Sequence, residues 1–146
     1  MKTILFITCL SVIVFKPITI VKPRFGCPFK KGMYIKPEAN TKMNKAYAIP
    51  RSSIEIEGVD NQVVAVSSGV VYKILKYDGK YIVSVESGKF TIYYENLDSV
   101  VVSEQQKISS SNIVGMARDK RVEISILKDK IRLLHPEVLL NCDCKK

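Results

Sequence analysis

The sequence predicts an all-β domain, a small antiparallel sandwich or barrel, preceded by an irregular arm. Three observations predict it. From Ile54 onward the apolar runs are short and rich in β-branched residues. Turn signals separate them at short intervals. No long amphipathic stretch with helical spacing interrupts them. The candidate strands follow in order. Residues 63–66 and 69–76 are dominated by Val and Ile, and Tyr77-Asp78-Gly79-Lys80 is a hairpin turn signal. Residues 81–86 alternate apolar and polar, Ser87-Gly88-Lys89 makes a second turn, and 90–94 form a third strand. Three successive strands with tight turns make a meander. Residues 100–102, 113–114 and 121–127 continue the pattern. In the last of these, Val122, Ile124 and Ile126 share one face and Arg121, Glu123 and Ser125 the other. Residues 129–134 read as a further strand, and 137–140 are the one stretch left open to a helix.

The chain has 146 residues, 47% hydrophobic and 25% charged, which is ordinary globular composition with room for one compact domain. It holds a single histidine, His135. A zinc site built from two or three imidazoles is therefore excluded within one chain, and any Ser-His-Asp or Cys-His site must use His135. Composition favours binding over histidine-based catalysis.

The net charge of +9 is uneven. Residues 1–22 carry three lysines and no acid, 23–50 carry six basic residues against Glu38, and 51–146 carry fourteen basic against thirteen acidic residues. The basic excess belongs to the N-terminal third. It reads as a solubilising linker with the positive flank of a leader, or as attraction to an anionic surface such as membrane headgroups or a wall polymer. Scattered lysines without aromatic platforms give no nucleic-acid signature.

Met1-Lys2 precedes residues 3–15, an uncharged apolar run closed by Lys16-Pro17. A positive start and a short apolar core suit a signal peptide over 1–22, and an uncleaved membrane anchor is the alternative. Cys9 lies in a poor lipidation context. Residues 23–50 contain Pro23, Pro28, Pro37 and Pro50, which favour extended, irregular backbone and make this a basic linker or arm. Cys27 sits here, and Cys142 and Cys144 sit in a tail over 142–146. In an oxidising compartment Cys27 could bridge to Cys142 or to Cys144; free or irregularly paired thiols remain open.

Five pieces of the main domain, 51–141, resemble one family. Residues 62–71 (QVVAVSSGVV) look like the "pV-x-A-x-x-x-G-x-V" strand pair of the lysostaphin-like (LytM-type) zinc metallopeptidases, which are peptidoglycan endopeptidases. Residues 94–100 (YENLDSV) resemble "Y-x-H-L-x-x-v", and 105–115 (QQKISSSNIVG) resemble "G-Q-x-V-x-x-G-x-x-I-G". Residues 121–126 (RVEISI) fall where the family has "H-L-H-F-E-I", and His135-Pro136 with Leu140 sits like its closing "D/N-P…L". The resemblance implies a compact barrel-sandwich hybrid with a groove across the open face of its sheet. It also locates departures. Asn96 stands at the catalytic His position, and Arg121 and Glu123 replace the two histidines of "H-L-H". No His lies upstream of Gln62, where "H-x-G-x-D" would supply ligands, and only 116–120 separate Gly115 from Arg121 in place of a longer glycine-rich loop.

Arg121 is a permanent cation and cannot ligate zinc, and Asn96 cannot shuttle a proton. The expectation is that the zinc site is lost, with no cofactor, and that Arg121 and Glu123 neutralise the old metal position as a charge pair. Of Tyr93 and Tyr94, strand alternation puts one in the core and leaves the other to line the groove. The resemblance thus implies a non-catalytic domain, and the leader implies its export to the periplasm, the exterior or the outer face of the cytoplasmic membrane. Its partner would be peptidoglycan or a cell-wall hydrolase, met through Asn96, Arg121, Glu123 and one of the two tyrosines. Two alternatives stand beside it. One is a metalloendopeptidase with an atypical site using Asp60, Glu123 and His135, or a Cys with His135. The other is a structural subunit of an envelope assembly.

Overall fold

The computed structural model describes residues 25–35 and 53–144. The expected leader over 1–22, most of the arm and the last two residues lie outside the described residues. Among the described residues, eleven strands carry the fold. They are β1 (Gly32–Ile35), β2 (Ser53–Gly58), β3 (Gln62–Val64), β4 (Gly69–Tyr77), β5 (Lys80–Ser87), β6 (Phe90–Val100), β7 (Lys107–Ile108), β8 (Ile113–Ala117), β9 (Arg121–Lys128), β10 (Arg132–Leu133) and β11 (Asp143–Cys144). A short α-helix, α1 (Pro136–Leu139), lies near the end, and a 3-10 turn, Arg118–Lys120, joins β8 to β9. The main path through the sheet runs β11-β1-β2-β9-β6-β5-β4-β7. The fold is all-β, as the sequence predicts.

The meander β4–β5–β6 forms because its turn residues accept left-handed backbone. Asp78 and Gly79 take φ of 49° and 73°, which gives a two-residue hairpin. Gly88 does the same with φ 58°. Strand β6 is eleven residues long and serves two partners. Its first half pairs with β9, ending at Glu95 opposite Glu123, and its second half pairs with β8, from Leu97 opposite Ala117. Asn96 lies at this fork with φ 69°. A left-handed residue at a register shift bends the strand, and Asn tolerates that conformation better than branched residues do. Strands β3 and β8 thereby form a branch off the main path.

The core lies on one face. Ile54 and Ile56 of β2, Val122, Ile124 and Ile126 of β9, Ile92 and Tyr94 of β6, and Val83 and Val85 of β5 meet in register and are buried. Two glycines allow close backbone approach. A Cβ at Gly69 would collide with the Glu86 carbonyl, and one at Gly115 with the Ser99 carbonyl. At two further positions where the family pattern carries Gly, Gln105 and Ser111 occupy left-handed backbone with φ of 67° and 72°. The backbone shape persists without the residue that adopts it most cheaply.

The irregular arm needs correction over its described part. Residues 25–35 belong to the domain. Phe25 and Phe29 are buried in the core, and β1 pairs antiparallel with β2. The described part of the expected tail, 142–144, is likewise built in, because β11 pairs parallel with β1. Cys27 is bonded to Cys142, with Cα atoms 4.9 Å apart. Phe25 donates its amide to Leu139 O at 3.1 Å, and Tyr34 donates its hydroxyl to Leu140 O at 2.7 Å. These contacts join distant parts of the chain, so local pattern in 23–50 carries no trace of them.

Candidate functional site

The face opposite the core is the candidate site, and strand register dictates what it carries. Directly opposed residues of antiparallel strands share a face. One row crosses β2, β9, β6, β5 and β4 as Ser53, Ser125, Tyr93, Ser84 and Lys73. The next row is Glu55, Glu123 and Glu95, and beyond it Glu57 faces Arg121. The alternation of β9 places Arg121 and Glu123 on this outer face with Val122 beneath them in the core.

The charge pairing differs from the sequence expectation. Arg121 does not pair with Glu123. Its Nη1 lies 3.4 Å from Glu55 Oε1 and its Nη2 3.9 Å from Glu57 Oε2. Glu123 instead accepts a hydrogen bond from the Ser53 hydroxyl. The reason is geometric. The guanidinium reaches sideways to β2, where it meets both the directly opposed Glu57 and the diagonal Glu55, while the Ser53 hydroxyl takes up the Glu123 carboxylate. Both ion pairs are half-exposed and contribute about 0–1 kcal/mol each. Their role is placement of the cation rather than stability.

Asn96 sits at the fork of β6. Its Nδ2 donates to Arg121 O at 2.9 Å and so ties the fork to the first residue of β9. Its Oδ1 is buried without a hydrogen-bond partner among the described residues. Tyr93 is half-buried on the outer face. Tyr94 belongs to the core, which removes it from the expected groove. Its hydroxyl accepts the Val66 amide at 2.9 Å, and burial pushes its pKa far above the usual phenol range, with the Val66 hydrogen bond opposing.

The residues of the atypical enzyme site do not converge. Asp60 Oδ1 accepts the Gln62 amide at 3.1 Å and closes the turn between β2 and β3. His135 precedes α1 and lies exposed, with Nδ1 3.2 Å from Glu137 Oε1. Among the described residues no group of three His, Cys, Asp or Glu side chains is placed to hold a metal ion. Arg121 itself cannot be a zinc ligand, because a guanidinium has no lone pair to offer.

Sequence reasoning missed the far end of this face. A hollow of about 230 Å³ opens between the turns at Gly88 and Asp129, lined by Glu86, Thr91 and Lys130. Lys130 Nζ lies 2.7 Å from Glu86 Oε1 and 5.0 Å from the centre of the Tyr72 ring. The Glu86 carboxylate holds the Lys130 ammonium above the usual lysine range. Only register could have revealed that Glu86 and Tyr93 share a face.

No family sequence model and no curated protein sequence matches the chain. Solved structures do. A chain of the SpoIIQ–SpoIIIAH pore-forming complex matches at 23% identity with a TM-score of 0.56, over 76% of this chain and 82% of that one. A protein described as an M23 peptidase, from Pseudomonas aeruginosa, matches at 16% identity with a TM-score of 0.62, over 86% of this chain and 54% of that one. The chain has the lysostaphin-like, LytM-type fold. A zinc-containing peptidase from Vibrio cholerae matches at 13% identity with a TM-score of 0.53, over 77% of this chain but only 35% of its own length. The LytM-type fold is thus common to a zinc-containing peptidase and to a chain that, here, presents Arg121, Glu123 and Asn96 on or beside the outer face.

Proposed function

We propose that this LytM-type domain is non-catalytic and acts in the cell envelope as a binding module. Its ligand is an extended peptide, most simply the peptide portion of peptidoglycan, laid across the outer face. The observation that carries this reading is Arg121. It is fixed between Glu55 and Glu57 where the family resemblance places an imidazole. Water activation by a bound ion needs lone-pair donors, which a guanidinium cannot supply. Partly exposed hydrogen-bonding groups face a peptide here, from Ser53, Tyr93 and Glu123. The apolar leader and the basic N-terminal third support export, with the positive flank meeting a membrane surface.

A second reading has a protein partner, such as a wall hydrolase, on the same face. The likeness to a chain from a two-protein complex favours it. Purified protein offered intact sacculi separates the two. Retention that survives moderate salt, and that falls at least fivefold in Arg121→Ala and Tyr93→Ala, is the expected result for wall binding. Loss with salt alone points to the lysine-rich arm. Stoichiometric zinc together with muropeptide hydrolysis abolished by Glu123→Ala would overturn the non-catalytic reading.

A further inference from the structure

The free edge of β4 is the strongest feature the outer-face reading leaves unused. Strand β7 covers only Gly69 and Val70 of β4, and Gln105 and Gln106 bond to Val71. From Tyr72 to Tyr77 no strand pairs with β4 on its outer side among the described residues. This stretch carries large exposed side chains: Tyr72 is 49%, Leu75 51% and Tyr77 63% exposed. Such an edge is a ready template for strand addition.

The direction of its backbone groups is fixed. Tyr77 opposes Lys80 across the two-residue turn, so Tyr77, Leu75 and Lys73 turn their amides and carbonyls inward to β5. Ile74 and Lys76 then point outward. Ile74 demonstrates this, because its amide donates to Glu104 Oε1 at 2.9 Å. That carboxylate also lies 3.4 Å from Lys73 Nζ. The Ile74 amide and the neighbouring lysine hold the Glu104 carboxyl below its usual range. Glu104 therefore occupies the place that a carbonyl of an added strand would take.

We propose that the β4 edge is an isologous strand-addition site for a second copy of this chain, with Glu104 as the displaceable group that competes for it. The choice of occupant follows from self-complementarity. Antiparallel pairing about a two-fold axis at Leu75 sets Ile74 against Lys76 of the second copy, in both directions, and exchanges four backbone hydrogen bonds. Leu75 then meets its own copy, and Lys73 faces Tyr77. A lysine over a tyrosine ring is a contact this hairpin already makes on its other face, with Lys76 Nζ 5.1 Å from the Tyr81 ring centre. No lysine opposes a lysine in this register. Moving the axis to Lys76 would set the two ammonium groups face to face. The bulge after Val71 excludes pairing further toward Gly69. A pair of strands this short buries less than the roughly 1,200 Å² of a standard stable interface, so association is weak and concentration-dependent.

Sedimentation of the whole chain over a concentration series tests this. A monomer–dimer equilibrium is expected. Tyr77→Lys, which sets like charges opposite each other, weakens it at least tenfold, and Glu104→Ala, which frees the Ile74 amide, strengthens it severalfold. Leu75→Cys in a Cys9→Ser, Cys144→Ser background is expected to form a covalent dimer on oxidation, because the axis passes through that residue. Unchanged thermal melting of each variant shows that the fold is kept. A chain that stays monomeric at the highest concentration overturns the proposal, whether or not it captures a strand from another protein. So does a dimer that keeps its affinity in Tyr77→Lys and gives no Leu75→Cys crosslink. None of these readouts depends on sacculus binding, so they stand or fall apart from the outer-face reading.

Discussion

Tyr94 carries a hydroxyl into a core built from Val, Ile and Leu, and that hydroxyl is the acceptor for the Val66 amide. Tyr94→Phe keeps the ring and leaves the amide without its partner. An unpaired buried donor costs about 1–3 kcal/mol, so urea unfolding is expected to show a loss of that size with an unchanged slope. The pH dependence has a definite sign. Burial raises the folded-state pKa of Tyr94 above the unfolded value of about 10, so its contribution is full below that pH. It is lost as pH climbs from there toward the folded value. Alkaline titration of stability should therefore fall above about pH 10 in the parent and fall less in Tyr94→Phe. The adjacent pair Tyr93-Tyr94 also marks what a sequence leaves open. Alternation says that the two point to opposite sides, but only the register of β6 against β9 says which is inside. The partner of Arg121 was hidden for a similar reason. Glu55 and Glu57 lie on a strand far away in the chain, while Glu123 is the near neighbour in sequence.

Among the elements, the β4–β5–β6 meander was legible because Asp78-Gly79 and Ser87-Gly88 announce their turns chemically. Strands β1 and β11 were not. They are four and two residues long, lie beside prolines or cysteines, and are held by neighbours rather than by their own propensity. The fork in β6 was legible only as an oddity, an Asn where the family pattern has His. The structure gives Asn96 a mechanical reason to be there, since it supplies left-handed backbone and binds Arg121 O. Two substitutions separate these contributions. Asn96→Gly keeps the backbone freedom and loses the side-chain bond, for an expected cost of about 1 kcal/mol. Asn96→Val loses both and forces a branched residue into left-handed φ, for about 2–3 kcal/mol. Equal denaturation midpoints for the two variants would show that backbone conformation at the fork carries no weight.

For the whole molecule, the all-β class and the LytM-type architecture were legible from five motif fragments in the right order, while the N-terminal boundary was not. The domain takes in residues 25–35 because Phe25, Phe29 and Tyr34 complete the core and the Cys27–Cys142 bond closes a loop spanning 115 positions. A bridge over a loop of that length removes denatured-state freedom worth roughly 2–5 kcal/mol. Paired replacement of Cys27 and Cys142 by Ser is expected to lower the melting temperature markedly, and dithiothreitol should do the same to the parent but not to the variant. This bond also sets how the domain answers tension. A pull applied to the backbone just before Cys27 and just after Cys142 loads one covalent clasp, and the sheet between them bears none of it. In a single-molecule stretching experiment the oxidised domain should show no unfolding length, whereas the reduced domain should lengthen by nearly its full contour. Tension carried through the flanking segments therefore passes along the clasp and leaves the sheet unstretched.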